Sequence, residues 1–261
     1  MSFRSLFLSL SLLFPVSAFA DLLVSNKPLA LIAAAVYPAE KIQVLIPDGM
    51  TPHDFSLRPS DIRKLRSANK VLWAGPESEP FLKRFATEDW INATALNKQA
   101  GLFNKDPHVW TSPATAILVA QQLAAPKSAQ EFEAKLNQLV TALLQQLQPV
   151  TDKGFFVFHD AYSYFFDAIK VKQSGAFTLS PEHKPGARRV QNMRQQLIDG
   201  QVQCVLTEPQ FEPAIVERIS SGLNINKGTL DPLASHIALT ETGYFEWLQG
   251  MANTLHKCLK N

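Results

Sequence analysis

Residues 128–148 run for 21 positions without glycine or proline, and apolar side chains recur at Phe132, Leu136, Leu139, Val140, Leu143, Leu144 and Leu147. That spacing draws one apolar stripe along a helix about 30 Å long. Ser128 and Glu131 read as a capping box at its start. A helix of this length is a stiff spacer where a Gly/Ser-rich segment would be a loose tether.

What flanks it repeats one grammar twice. Before it, strand-like runs at residues 22–24, 42–46 and 71–73 alternate with helical patterns at 29–37 and 60–68, a β-α-β-α-β order that builds a parallel sheet. Pro59-Ser60-Asp61 marks the second helix start, although Arg63 cannot complete a capping box with Ser60. After it, residues 155–158, 173–179 and 202–206 read as strands, and 186–198 and 213–220 as helices. The expected fold is α/β: two lobes with mostly parallel sheets, residues 21–127 and 149–261, joined by one long rigid helix across a cleft. Glycine supplies 11 of 261 residues, too few for a glycine-rich hinge, so large lobe closure is not expected. No internal repeat or low-complexity segment is visible.

Residues 1–20 stand apart. Arg4 is followed by an apolar run at residues 6–16 and by Ala18-Phe19-Ala20, the small-x-small pattern of a signal-peptide cleavage site. The run is shorter than the roughly 18–20 residues of a spanning helix. No cysteine lies near the cleavage point to carry a lipid anchor, so a soluble, exported, periplasmic chain beginning at Asp21 is expected. Removing the leader and its single charge leaves 241 residues and a net charge of +1. A balance this even does not fit a protein that grips nucleic acid or an anionic bilayer. The 46% apolar content likewise excludes disorder.

In an oxidising compartment an isolated cysteine pair, here Cys204 and Cys258, is more often a structural disulfide than a metal or redox site. Their separation of 54 residues excludes a CxxC motif.

The chain has no GxGxxG, Walker loop, GxSxG elbow or HExxH, which removes the usual support for dinucleotide, nucleotide, serine-hydrolase and zincin chemistry. Six histidines remain. His53, in Pro52-His53-Asp54-Phe55, His108, in Asp106-Pro107-His108-Val109-Trp110, and His159, closing Phe155-Phe156-Val157-Phe158, each fall at an element end. Binding residues of α/β sheets gather there. Three neutral imidazoles and one oxygen suit Zn²⁺, and Asp231 in Leu230-Asp231-Pro232 is a source of that oxygen. Gaps of 55 and 51 residues match no short metal motif, and a lone loop histidine beside an aspartate is commonly just hydrogen-bonded. His183, His236 and His256 read as surface residues. Glu208 follows a strand into the same cleft, where a structural hydrogen bond and a functional role are equally open.

Taken in order, Leu45-Ile46-Pro47-Asp48-Gly49, His53-Asp54-Phe55-Ser56-Leu57-Arg58-Pro59, Asp106-Pro107-His108-Val109-Trp110, Phe158-His159-Asp160-Ala161-Tyr162, Thr207-Glu208-Pro209-Gln210-Phe211 and Gly228-Thr229-Leu230-Asp231-Pro232 resemble the ZnuA family over essentially the whole mature chain. These are periplasmic zinc-binding components of bacterial ABC importers, within the cluster A-I solute-binding proteins. The resemblance implies two α/β lobes bridged by one helix, a metal site in the interlobe cleft, His53, His108 and His159 as Zn²⁺ ligands, and a Cys204–Cys258 bond. It also implies capture of Zn²⁺ for high-affinity uptake and delivery to a membrane permease, by a monomer without enzymatic activity. Manganese carriers of the family have a carboxylate at the third ligand position, and a histidine there favours zinc. Two departures stand out: residues 83–106 lack the His-rich loop of some members, and Pro52 replaces an acidic residue common before the first histidine. The fourth ligand is then Asp231 or a water, with water favoured. Alternatives are a manganese or iron carrier of the same fold, a metal-dependent adhesin, and a secreted zinc hydrolase with Glu208 as its base.

Overall fold

A computed structural model describes residues 21–178, 186–211 and 214–260. The leader at 1–20, the end of the strand expected at 173–179, His183 and the first residue of the helix expected at 213–220 lie outside the described residues. In the first lobe β1 (Leu22–Val24), α1 (Lys27–Ala34), β2 (Ile42–Val44), α2 (Pro59–Ser67) and β3 (Lys70–Trp73) follow the expected order. They are succeeded by β4 (Ile91–Asn92), α3 (Ala93–Gln99) and α4 (Pro113–Leu123). The linking helix is α5 (Pro126–Leu147). The second lobe contains β5 (Phe155–His159), α6 (Ser163–Ala168), β6 (Gly175–Thr178), α7 (Ala187–Ile198), β7 (Cys204–Thr207), α8 (Ala214–Ser220), β8 (Asn226–Thr229) and α9 (Gly243–Lys260).

Both sheets are wholly parallel, ordered β2-β1-β3-β4 and β6-β5-β7-β8. The lobes thus repeat one topology that leaves no visible repeat in the sequence. In each, the chain leaves the first strand toward one side and returns on the other, which opens a crevice at the carboxyl edge.

The long helix starts earlier than its capping signal. Pro126 occupies the first turn, Ala125 is the N-cap with no side-chain bond, and Ser128 lies inside the helix, so the expected Ser128–Glu131 box does not form. Proline fits the first turn because its missing N–H has no acceptor to find there and its φ is already helical. At α2 the reciprocal half of a box does form: Asp61 Oδ2 accepts the Arg58 backbone N–H at 3.0 Å.

One apolar core runs through both lobes. It includes Leu22 and Val24 on β1, seven consecutive residues of α1 closed off from solvent, Leu136 and Leu143 on α5, Phe155 and Val157 on β5, and Leu248, Leu255 and Leu259 on α9. The C-terminal helix is therefore a second bridge: α9 packs on β7 and β8 of its own lobe, on α5, and on α1 of the other lobe. Gly243 permits that crossing, since a Cβ there would stand 2.6 Å from Ala238 O and 2.7 Å from Leu31 Cδ2. A shared, close-packed core resists wide opening of the lobes. No helix among the described residues is long and apolar enough to cross a membrane.

Glu79 is the one fully buried carboxyl at the carboxyl edge of the first sheet. Its Oε1 accepts Asn26 Nδ2 at 2.9 Å and its Oε2 accepts Ala74 N–H at 2.8 Å, while Asn26 Oδ1 caps α1. Burial pushes the Glu79 carboxyl up to about 7 against these bonds, which favour the anion. Between the ordinary glutamate value and 7 the unfolded chain releases a proton that the folded chain keeps. Stability from this group is therefore full at low pH and lost as pH rises through 7, by on the order of 3 kcal/mol. Denaturant unfolding from pH 5 to pH 8 is expected to show that slope relative to Glu79→Gln; parallel curves would refute it.

Candidate metal centre

Each histidine arrives on a differently built support. His53 lies in the loop at residues 47–58 after β2, where Gly49 takes φ +78° to close a turn and Met50 N–H bonds Pro47 O at 3.1 Å. Phe55 then anchors the loop, buried edge-to-face against Phe81 with ring centroids 5.4 Å apart. His108 follows a loop in which Lys105 adopts φ +78° and Asp106 N–H bonds Asn104 Oδ1 at 3.0 Å. Asp106 Oδ1 accepts both the His108 backbone N–H, at 2.9 Å, and its Nδ1–H, at 2.6 Å. His159 is the last residue of β5, and its Nδ1–H faces both Glu208 oxygens at 2.8 and 2.9 Å.

The carboxylates decide where the remaining nitrogens point. Asp106 and Glu208 accept from Nδ1, so the Nε2 lone pairs of His108 and His159 are left to face each other at 3.1 Å. His53 Nε2 stands 3.1 Å from His108 Nε2, and the three ligand atoms all lie within 4.8 Å of one another. Lone pairs set this close repel unless a cation lies among them. Tetrahedral Zn–N bonds of 2.0–2.1 Å require N···N separations of about 3.3 Å. The residues present fit such an ion.

Burial works against the charge on Asp106, but hydrogen bonds from His108 and Ser163 outweigh it and hold the carboxyl below its ordinary range. Ser163 belongs to α6 of the other lobe, and its N–H and hydroxyl reach Asp106 Oδ2 at 3.2 and 2.5 Å. One carboxylate thus orients a histidine and ties the lobes together. Tyr162 supports Glu208 from within the same lobe, donating its hydroxyl at 3.1 Å, and burial followed by the Glu208 charge pushes that phenol well above its ordinary value.

The cleft floor is a cavity of only about 10 Å³, walled by the three histidines with Trp110, Phe211 and Leu233 among others. That is a space on the scale of an ion or a water, too small for an organic ligand. The sequence matches the family profile described as ZnuA, zinc-uptake complex component A, periplasmic, over residues 22–258.

The chain belongs to the ZnuA family.

Among its curated relatives, the high-affinity zinc uptake system protein ZnuA of Yersinia pestis is 36% identical over 301 aligned positions, covering 93% of this chain and 92% of the relative. The corresponding ZnuA protein of Haemophilus ducreyi is 33% identical, covering 92% and 93%. The alignment with the Yersinia protein is longer than this chain's 261 residues, so that ZnuA carries segments with no counterpart here. Solved structures share the fold: a zinc-bound ZnuA deletion mutant has a TM-score of 0.75 at 22% identity, covering 92% of this chain and 97% of that one. A mutant of the laminin-binding adhesin Lmb of Streptococcus agalactiae has 0.79 at 21%, covering 92% and 99%.

In this ZnuA-family chain the structure brings His53, His108 and His159 together and leaves Asp231 outside the group. Asp231 instead holds its own loop, Oδ1 accepting Leu233 N–H at 3.0 Å and Gln210 Nε2 at 2.7 Å, and Oδ2 accepting Ser235 N–H at 2.6 Å. That loop is clamped from both sides, by Trp110 Nε1 on Pro232 O at 2.9 Å and Trp247 Nε1 on Asp231 O at 2.8 Å. His236 is exposed and His256 half-buried, both apart from the cluster. Of Glu208's two open roles, the hydrogen-bonding one is present. Sequence reasoning missed the orienting role of Asp106, although an aspartate two residues before a histidine was its signal.

Proposed function

We propose that this protein is a periplasmic zinc carrier that captures Zn²⁺ with His53, His108 and His159 and hands it to the membrane permease of an ABC importer. Residues 21–127 and 149–261 act as its two lobes, residues 1–20 as the export leader, and the chain works as a monomer. The observation that carries the reading is the convergence of three Nε2 atoms, two of them fixed as acceptors by carboxylates behind the rings. A water completes the coordination, because Asp231 already has donors for both oxygens.

Three neutral imidazoles leave the ion's charge at +2, and Asp106 and Glu208 offset it from behind the ligands. An all-nitrogen protein set favours Zn²⁺ over the oxygen-seeking Mn²⁺. A hydrolase reading lacks space for an organic substrate, and Glu208 is committed to His159 and Tyr162. Zinc capture is tested by competition titration against a chromophoric chelator. Tight binding of Zn²⁺ over Mn²⁺ is expected at pH 7, weakening toward pH 5 as protons compete for imidazole. Affinity that is unchanged at pH 5, or a preference for Mn²⁺, would overturn the proposal.

A further inference from the structure

The first lobe carries an open groove of about 760 Å³, lined by Phe55, Leu57 and Phe81 and rimmed by Lys83 and Arg84. Its lining holds no carboxylate. Neither cation has an acidic partner within 4.0 Å among the described residues, and Arg84 rests over the Phe85 ring at 4.7 Å. The groove is tied to the site by the chain itself, since Phe55 is two residues from His53 in the same loop. Two large apolar side chains are also exposed on the loops that bear the histidines. Met50 and Leu102, 39% and 40% exposed, lie in the loops that lead to His53 and His108.

Resting on the zinc-carrier reading, we infer that this groove receives an acidic, apolar segment of the permease, docked so that the loop bearing His53 lies in the interface. An apolar floor with a rim of unpaired cations complements a segment carrying an aromatic or aliphatic anchor flanked by carboxylates. An anionic bilayer fits less well: it attracts clusters of about 4–8 cations on a flat or convex face, whereas this surface is concave with two. Seating of the segment against Phe55 acts directly on the backbone that presents His53. Delivery is thereby coupled to docking without wide opening of the lobes, which the continuous core resists.

The test uses the mature protein with the permease–ATPase complex of the same cell in proteoliposomes, following zinc-dependent ATP hydrolysis against carrier concentration. Lys83→Glu with Arg84→Glu is expected to raise the half-maximal concentration at least tenfold while zinc affinity stays within twofold of wild type. Added salt is expected to weaken wild type and, by screening the repulsion that the two glutamates introduce, to strengthen the variant, so that the two converge. An unchanged half-maximal concentration in the variant overturns the inference, and so does equal binding of wild type to phosphatidylglycerol vesicles with and without permease. A wild-type protein that binds no zinc fails the carrier reading itself, a result distinguishable because it appears before any permease is added.

Discussion

Replacing His159 with alanine is expected to lower Zn²⁺ affinity by more than about a hundredfold while circular dichroism and the cooperative unfolding transition of the zinc-free protein persist. The Nε2 it removes is one of the three clustered nitrogens proposed to hold the ion, 3.1 Å from its neighbour on His108. Glu208 would also lose the imidazole that both of its oxygens face, though Tyr162 remains as a donor. Glu208→Gln supplies a graded comparison. It keeps an acceptor for Nδ1–H but removes the negative charge behind the ring, a change that costs roughly 10–100-fold in outer partners of metal ligands. The expected order of affinity is wild type, Glu208→Gln, His159→Ala, read by chelator competition at pH 7. Wild-type affinity in His159→Ala would end the three-histidine description. Glu208→Gln falling as far as His159→Ala would mean that the carboxylate itself reaches the ion.

The parts of the fold that were legible in the sequence are those with a strong period or a strong stop. The apolar stripe from Phe132 to Leu147 announced α5, and Leu22, Val71 and Phe155 opened buried runs that became β1, β3 and β5. β4 was not legible, because two half-buried residues carry no period. The helix at α4 was masked by apolar residues on most of its faces, although Ser112 caps it and Pro113 opens it. The histidines could be picked out by their places at element ends, yet their meeting depends on two lobes folding against one core. Gaps of 55 and 51 residues contain no information about that closure. Asp106 was hidden for a related reason: half of its work is done across the cleft on Ser163.

Removing the disulfide by Cys204→Ala with Cys258→Ala is expected to destabilise the protein by about 4 kcal/mol, the chain-entropy value for a loop of this length, and to lower the melting temperature by roughly 10 °C. The bond joins residues 54 apart, from the start of β7 to the last turn of α9, with Cα atoms separated by 5.6 Å. It fastens the helix that spans both lobes to an inner strand of the second sheet. Two further contacts hold the same helix end, Asn226 Nδ2 on Cys258 O at 2.9 Å and Lys153 Nζ on Leu259 O at 2.7 Å, so α9 stays docked in the variant. Zinc affinity should change less than threefold, because β7 remains paired on both sides, with β5 and β8, and continues to present Glu208. Thermal unfolding with and without a thiol reductant supplies the internal control: reductant should move wild type to the variant's midpoint and leave the variant where it is. An unchanged midpoint in the variant would show that packing and the two carbonyl contacts already hold α9. A collapse of zinc affinity with unchanged helix and strand content would place the disulfide within the machinery of the site, through a shift of β7 and the Glu208 it presents.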